Sequence, residues 1–314
     1  MQTLTVTAVK LLDGKTIPLS HVLQISVLSS LASPAQSLYV ESVVDNFPGE
    51  LGEICVTCDA QTVFCGQVDR QVSSLSSRGR ILTIEARSKG AFLLDNEAVP
   101  CTMTNVNISA VFSRFIAPYR FLLYHPSPGR TLPAYTVHKG VSEWEALTGY
   151  TLRVYGRTPY VIGDQVMLDR PRSAVPLSVG GAGAPYQEIA HTHFPYRIVS
   201  KVVLRDIDGY YRSAVNNSAA ADYGIQRKRY VIPASEFIDS PGLDANQRIR
   251  RSMLEKESVR ITLPGIVMAH IGQEVEIADP NFRLYNLMVY ECAWKQSAKG
   301  IVTILTLMST IYYD

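Results

Sequence analysis

Residues 37–70 read SLYVESVVDNFPGELGEICVTCDAQTVFCGQVDR, and this stretch decides the fold. Leu38 and Val40 alternate with Tyr39 and Glu41, Ile54, Val56 and Cys58 take every second place, and Phe64 to Val68 repeats the pattern. An extended chain turns successive side chains to opposite faces, so a period of two gives each strand one apolar and one polar face. Pro48-Gly49 supplies a turn within the stretch. The same alternation extends outward. Upstream, Leu4, Val6 and Ala8 alternate with threonines, and Leu23, Ile25 and Val27 alternate with Gln24 and Ser26. Downstream come Leu82, Ile84 and Ala86, and Asp13-Gly14 marks a further turn. Short strands at close spacing predict an antiparallel β-barrel or sandwich over residues 1–86.

The pattern changes after Arg87. Ile108, Val111, Phe112, Phe115 and Ile116 stand at helical spacing, with Asn107 as N-cap and Pro118 as terminator, which predicts a helix over 107–117. Ser142 and Glu145 form a capping box that opens a short helix, with Gly149 expected to stop it. Gly163-Asp164 marks a hairpin. Residues 87–176 therefore read as a mixed α/β insert, and LSVGGAGAPY at 177–186 as a linker. Strands return at Ile198–Leu204, with a tight turn at Asp208-Gly209 and another strand around Tyr230–Ile232. A polar helix is expected near 242–257, roughly Asp244 to Lys256, and strand patterns then run to Leu307. Residues 177–314 read as a second β-barrel module. The fold class expected is mainly β with an α+β insert and two antiparallel β-barrel modules.

Composition sets limits. The 314 residues are 46% hydrophobic and 18% charged with a formal charge of +2, which disfavours disorder and gives no general attraction to nucleic acid or anionic lipid. No stretch approaches the ~18 uninterrupted apolar residues of a spanning helix, and strand-like alternation from the first residues leaves no reading as a secretory leader. Five cysteines, an odd number in a chain of this size, predict free thiols in a reducing compartment. Tyrosine, at 17 against 9 Phe and 2 Trp, suits surfaces half-buried in a partner.

Chemistry-bearing residues are sparse. Cys55 and Cys58 form a CxxC, but on a strand residues three apart point to opposite faces, so structural thiols are the reading. Cys65, Cys101 and Cys292 complete no second pair. His191 and His193 would share a strand face and need a third ligand, for which Glu188 has the wrong parity, so a polar rim or inter-subunit contact is favoured over a metal site. His21, His125, His138 and His270 are isolated. Glu143 and Glu145 pair at a helix N-terminus, where the dipole already explains acids. Arg227-Lys228-Arg229 and Arg248, Arg250 and Arg251 form basic clusters without aromatic interleaving, read as solvated or inter-subunit faces. There is no GxSxG, HExxH or P-loop, and Gly180-Gly181-Ala182-Gly183 lacks dinucleotide-binding spacing. No catalytic, cofactor-binding or metal residue is expected.

Several elements together resemble one family. EARSKGAFLLDNEA at 85–98 is similar to an element of phage baseplate hub proteins in which a strand ending Ala86-Arg87-Ser88 leads into a turn carrying Leu93-Leu94-Asp95. HKGVSEWEAL at 138–147 resembles another, with Gly140, Ser142, Trp144, Glu145 and Leu147 beginning a short helix. The end is also alike: a polar helix, a strand closing on Leu263-Pro264-Gly265, GQEVEIADP from Gly272 to Pro280, and a long final hairpin. Residues 37–70 fit the first barrel. The family is the contractile-tail hub, like the Mu-type hub and the gp27-like, late-control-D group. The resemblance implies a homotrimer whose paired barrels form a pseudo-sixfold ring. That ring would join a sixfold tail tube or tube initiator to a threefold central spike, beside tape-measure and wedge proteins, with DNA at most in transit. It implies assembly in a host bacterial cytoplasm, residence in the virion tail baseplate and no cofactor or membrane binding. Hubs with lytic activity carry a further fused domain that is not seen here, so an enzyme is not expected. Rival readings are a cell-wall-binding protein with a LysM-like module at 136–168, a metal hydrolase using His191 and His193, and a tail fibre, for which coiled-coil or fibrous repeats are missing.

Overall fold

The computed structural model describes residues 2–77, 79–124, 130–169, 175–234, 237, 240–282 and 284–311. The N-terminal third is all strand: β1 (Leu4–Lys10), β2 (Thr16–Leu19), β3 (His21–Ser30), β4 (Ser37–Val43), β5 (Leu51–Cys58), β6 (Gln61–Ser76) and β7 (Gly79–Ser88). The middle mixes types: α1 (Ala91–Asp95), β8 (Cys101–Val106), α2 (Ile108–Phe115), β9 (Leu122–Tyr124), β10 (Leu132–Val137), α3 (Glu143–Tyr155), β11 (Tyr160–Ile162) and β12 (Gln165–Met167). The last part holds β13 (Leu177–Val179), β14 (Glu188–His193), β15 (Lys201–Arg205), β16 (Tyr211–Asn216), β17 (Lys228–Val231) and α4 (Pro241–Leu254). It closes with β18 (Glu257–Pro264), β19 (Glu274–Ile277), β20 (Leu287–Ser297) and β21 (Gly300–Ser309).

One 13-stranded sheet, ordered β14-β18-β21-β20-β3-β4-β7-β6-β5-β1-β2 with β19 and β13 branching from β20, carries both ends of the chain. The N- and C-terminal halves are sewn together where β3 pairs antiparallel with β20, Val27 opposite Trp294. The alternation read from the sequence is the burial pattern: Ile54, Val56 and Cys58 on β5 and Leu305 and Leu307 on β21 face one continuous core. Bulges at Val9/Lys10, Val22/Gln24, Val56/Thr57, Val68/Arg70 and Val289/Glu291 bend and twist these strands, as a curling sheet requires. The two β-rich regions thus share one hydrogen-bonded sheet and one core.

The insert has its own core, in which α2 and α3 pack Val111, Phe115, Leu147 and Tyr150. Tyr150 is fully buried and its one hydroxyl proton is shared between the carbonyls of Val106 and Arg130, at 3.0 and 2.9 Å, so a polar tip is satisfied inside an apolar core. Asn107 caps α2 through the Ala110 amide, and Ser142 and Glu145 close the expected capping box on α3. Helix α3 does not stop at Gly149. That glycine is buried within the helix, which ends at Gly156 with φ +71, where the left-handed geometry favours glycine. Two side chains of α4 complete this end: Gln247 Nε2 and Arg250 Nη1 both donate to the Gly156 carbonyl, at 2.7 and 2.8 Å.

Two further expectations change. Residues 177–186 are not a free linker: β13 pairs parallel with β19, and the Gly180, Gly183 and Ala184 amides donate to Ala184, Gly180 and Ser178 carbonyls. A side chain on Gly183 would collide with Ser178, so the glycines serve a folded loop. The strands between Ile198 and Ile232 do not join the large sheet either. They form a separate three-stranded sheet, β16-β15-β17, whose Val202 and Leu204 pack on Ala245 and Ile249 of α4. The helix begins at Pro241, ahead of the expected Asp244, because proline is pre-organised for the first helical turn.

Candidate functional site

The residues singled out from the sequence fall into four places. The first is the β7–α1 junction. Arg87 reaches Asp69 on β6 through Nε and Nη2 (2.7 and 3.0 Å) and Asp95 at the end of α1 through Nη1 and Nη2 (3.0 and 2.7 Å). Hydrogen bonds to Asp69 and Asp95 raise the guanidinium above its ordinary range, and the bond from Arg87 holds Asp95 below the usual carboxylate value. Ser88 Oγ accepts from the Gln36 amide at 2.9 Å, and a Cβ on Gly90 would overlap the Pro34 carbonyl. The Ala-Arg-Ser and Leu-Leu-Asp elements are therefore one structural joint that fixes the insert to the sheet.

The cysteines differ from expectation. Cys55 and Cys65 stand directly opposite on the β5–β6 hairpin, Cα atoms 4.2 Å apart, and are disulfide-bonded. The prediction of five free thiols fails for these two because hairpin register, invisible in the CxxC spacing, aligns them. Cys58 is buried on the other face, as strand parity requires; Cys58, Cys101 and Cys292 are free. Burial raises the Cys292 thiol to about 12, which leaves it inert.

The basic clusters behave unlike one another. Arg248 pairs with Asp244 and Arg251 with Glu255 on α4, each at 2.8 Å, while Arg250 caps α3, so this cluster is consumed within the chain. The other cluster does have aromatic neighbours, contrary to the sequence reading, because β16, β15 and β17 bring together residues distant in the chain. Tyr211 and Tyr230 meet edge-to-face at 5.4 Å, Arg212 lies 4.3 Å over Tyr210, and Arg227 lies 5.9 Å from the Tyr196 ring. Tyr196, Tyr210, Tyr211 and Tyr230 are between 44% and 64% exposed, and Ile207 and Ile232 stand out beside them. Tyrosine-arginine surfaces of this kind have the composition of interface cores.

The histidines sit on β14, an edge strand of the large sheet. His191 and His193 share its face, their ring centroids 4.1 Å apart, and Glu257 of β18 lies opposite His193. Glu257 Oε2 is 3.4 Å from His191 Nε2 and 4.0 Å from His193 Nδ1. The sequence reading tested only Glu188, on the same strand; the third group comes from the neighbouring strand. His21, His138 and His270 join no such cluster among the described residues, and His125 lies outside them. Glu143 is buried on α3 with Oε2 unpartnered, and burial lifts its carboxyl to about 7. The 136–168 segment contains one helix followed by the β11–β12 hairpin, so the second helix of a LysM-like module is not there. No helix among the described residues is long and apolar enough to cross a membrane.

No protein-family model matches the chain, and no curated protein does. Solved structures do. A tail protein from Neisseria meningitidis MC58 superposes with a TM-score of 0.76 at 18% identity, covering 99% of this chain and 98% of that one. The 43 kDa tail protein of prophage MuSo2 from Shewanella oneidensis gives 0.78 at 14% identity, covering 100% of both chains. The E. coli c3393 protein gives 0.56 at 9% identity over 92% of this chain and 73% of that one; it is described as a type VI secretion component structurally similar to T4 tail proteins gp27 and gp5. At these identities the likeness is one of fold, and it extends from end to end.

Proposed function

We propose that the chain, which has the fold of Mu-related phage tail proteins, is a structural baseplate hub of a contractile phage tail or tail-like particle. The single observation that carries this reading is the end-to-end superposition on a prophage tail protein, covering 100% of each chain. Its work is geometric: it joins the tail tube to the central spike and surrounds the channel. Three copies, each offering two β-rich halves, make the pseudo-sixfold ring that such a junction needs, and the reading is of a structural part, not an enzyme.

The sheet edges support this tiling. A strand edge presents unpaired N–H and C=O groups to any neighbouring strand. β2 pairs only with β1 and carries Pro18, which removes one donor and blunts that edge. The opposite edge, β14, carries no proline and is open to a neighbouring subunit. Ring closure would bury more than the ~1,600 Å² of a standard interface. The tyrosine-rich face of β16-β15-β17 would take a second contact, with a tube, spike or wedge protein. Light scattering on the purified chain tests the reading: three times the 34.7 kDa chain mass is expected, and a monomer at every concentration would count against it.

A further inference from the structure

We propose that His191, His193 and Glu257 form a binding site for a divalent transition metal, zinc by the chemistry of the donors, which clips the edge strand β14 to β18. This does not depend on the hub reading. Two imidazoles and one carboxylate are a donor set that zinc takes, with one position left for water or another ligand. The three ligand atoms lie within 4.8 Å of one another. Metal–ligand bonds of about 2.0–2.1 Å at a tetrahedral angle place ligand atoms about 3.4 Å apart. His191 Nε2 and Glu257 Oε2 stand at 3.4 Å, and His193 Nδ1 is at 4.0 Å on a side chain that is 63% exposed and free to close the difference.

Two further observations point the same way. His191 Nε2 is buried and has no hydrogen-bond partner, a costly state for a ring nitrogen unless something else takes its lone pair or proton. Glu257 is already divided in its loyalties: Lys256 Nζ lies 3.5 Å from Oε1 and itself donates to the Tyr223 hydroxyl, leaving Oε2 turned to the histidines. The lysine thereby orients a monodentate ligand, as outer-shell groups do. His191, Lys256 and Glu257 also line a cleft of about 130 Å³ with Tyr285 and Ser309, which gives an ion an entry path and an open coordination position. A bound ion would tie residues on adjacent strands at the sheet edge, where the ladder has no outer neighbour.

The test uses the full chain, stripped with chelator and titrated with Zn2+ by calorimetry and with Co2+ by visible absorption. One ion per chain is expected, with the intense d–d bands of a four-coordinate cobalt site and a rise in Tm on zinc addition. His193→Ala, at an exposed position that leaves the fold intact, and Glu257→Gln should each weaken binding at least about tenfold. His270→Ala should bind as the parent does. Absence of saturable one-to-one binding, or affinities unchanged in both the His193 and Glu257 variants, would overturn the proposal.

Discussion

Arg87 and Asp95 are joined by two parallel hydrogen bonds, Nη1 to Oδ1 at 3.0 Å and Nη2 to Oδ2 at 2.7 Å. Arg87 lies next to the last residue of β7 and Asp95 is the last residue of α1, so this fork ties the start of the insert to the sheet. Planar two-point pairing is a property of guanidinium that ammonium lacks. Arg87→Lys should therefore lose most of what Arg87→Ala loses, about 1 kcal/mol for a partly exposed pair, read by chemical denaturation. Asp95 is held below its ordinary value of 3.8, so its contribution is present above that pH and is lost as pH falls through the lower folded value. The parent and Asp95→Asn should differ at pH 7 and converge on acidification.

Glu143 behaves in the opposite sense. Its carboxyl is lifted from 4.5 to about 7 by burial, with Arg114 opposing the shift. A raised folded value means that stability is greatest below 4.5 and declines as pH rises through about 7, because the buried group must ionise without a partner for Oε2. Glu143→Gln should abolish that decline. At pH 8 the variant should be more stable than the parent, on the order of 2 kcal/mol, and at pH 4 the two should match. Tm measured from pH 4 to 8 checks the crossing behaviour.

The Tyr211–Tyr230 pair is exposed, and its rings touch no core. Replacing both with alanine should leave the unfolding free energy of the purified chain within about 1 kcal/mol of the parent, read by chemical denaturation. If this face takes the tail-protein contact proposed above, the double variant should weaken that capture by tenfold or more, as expected for interface tyrosines. Pull-down from assembled particles, with parent and variant side by side, reads the difference.

Much of this fold was legible because its elements obey short-range rules. Alternation located Leu4–Lys10, Leu51–Cys58 and Gly300–Ser309, and the caps at Asn107 and Ser142 fixed two helices. What the chain hid are pairings between distant strands. Nothing local shows that Val27 lies opposite Trp294, so the sequence does not reveal that one hydrogen-bonded sheet runs through both β-rich regions. The same blindness concealed the sites. Cys65 meets Cys55 through a hairpin register, Glu257 meets His193 across a 64-residue separation in sequence, and Tyr230 meets Tyr211 across β15. Gly149 misled because a glycine inside a helix looks like a stop until its burial against a neighbour is known.

Negative-stain imaging of the purified chain, sorted into class averages, tests the central claim most directly. The account predicts rings of three copies with six similar lobes around an open channel. Particles that average to single, isolated copies with no rotational symmetry, at concentrations where the chain is fully folded, would contradict it.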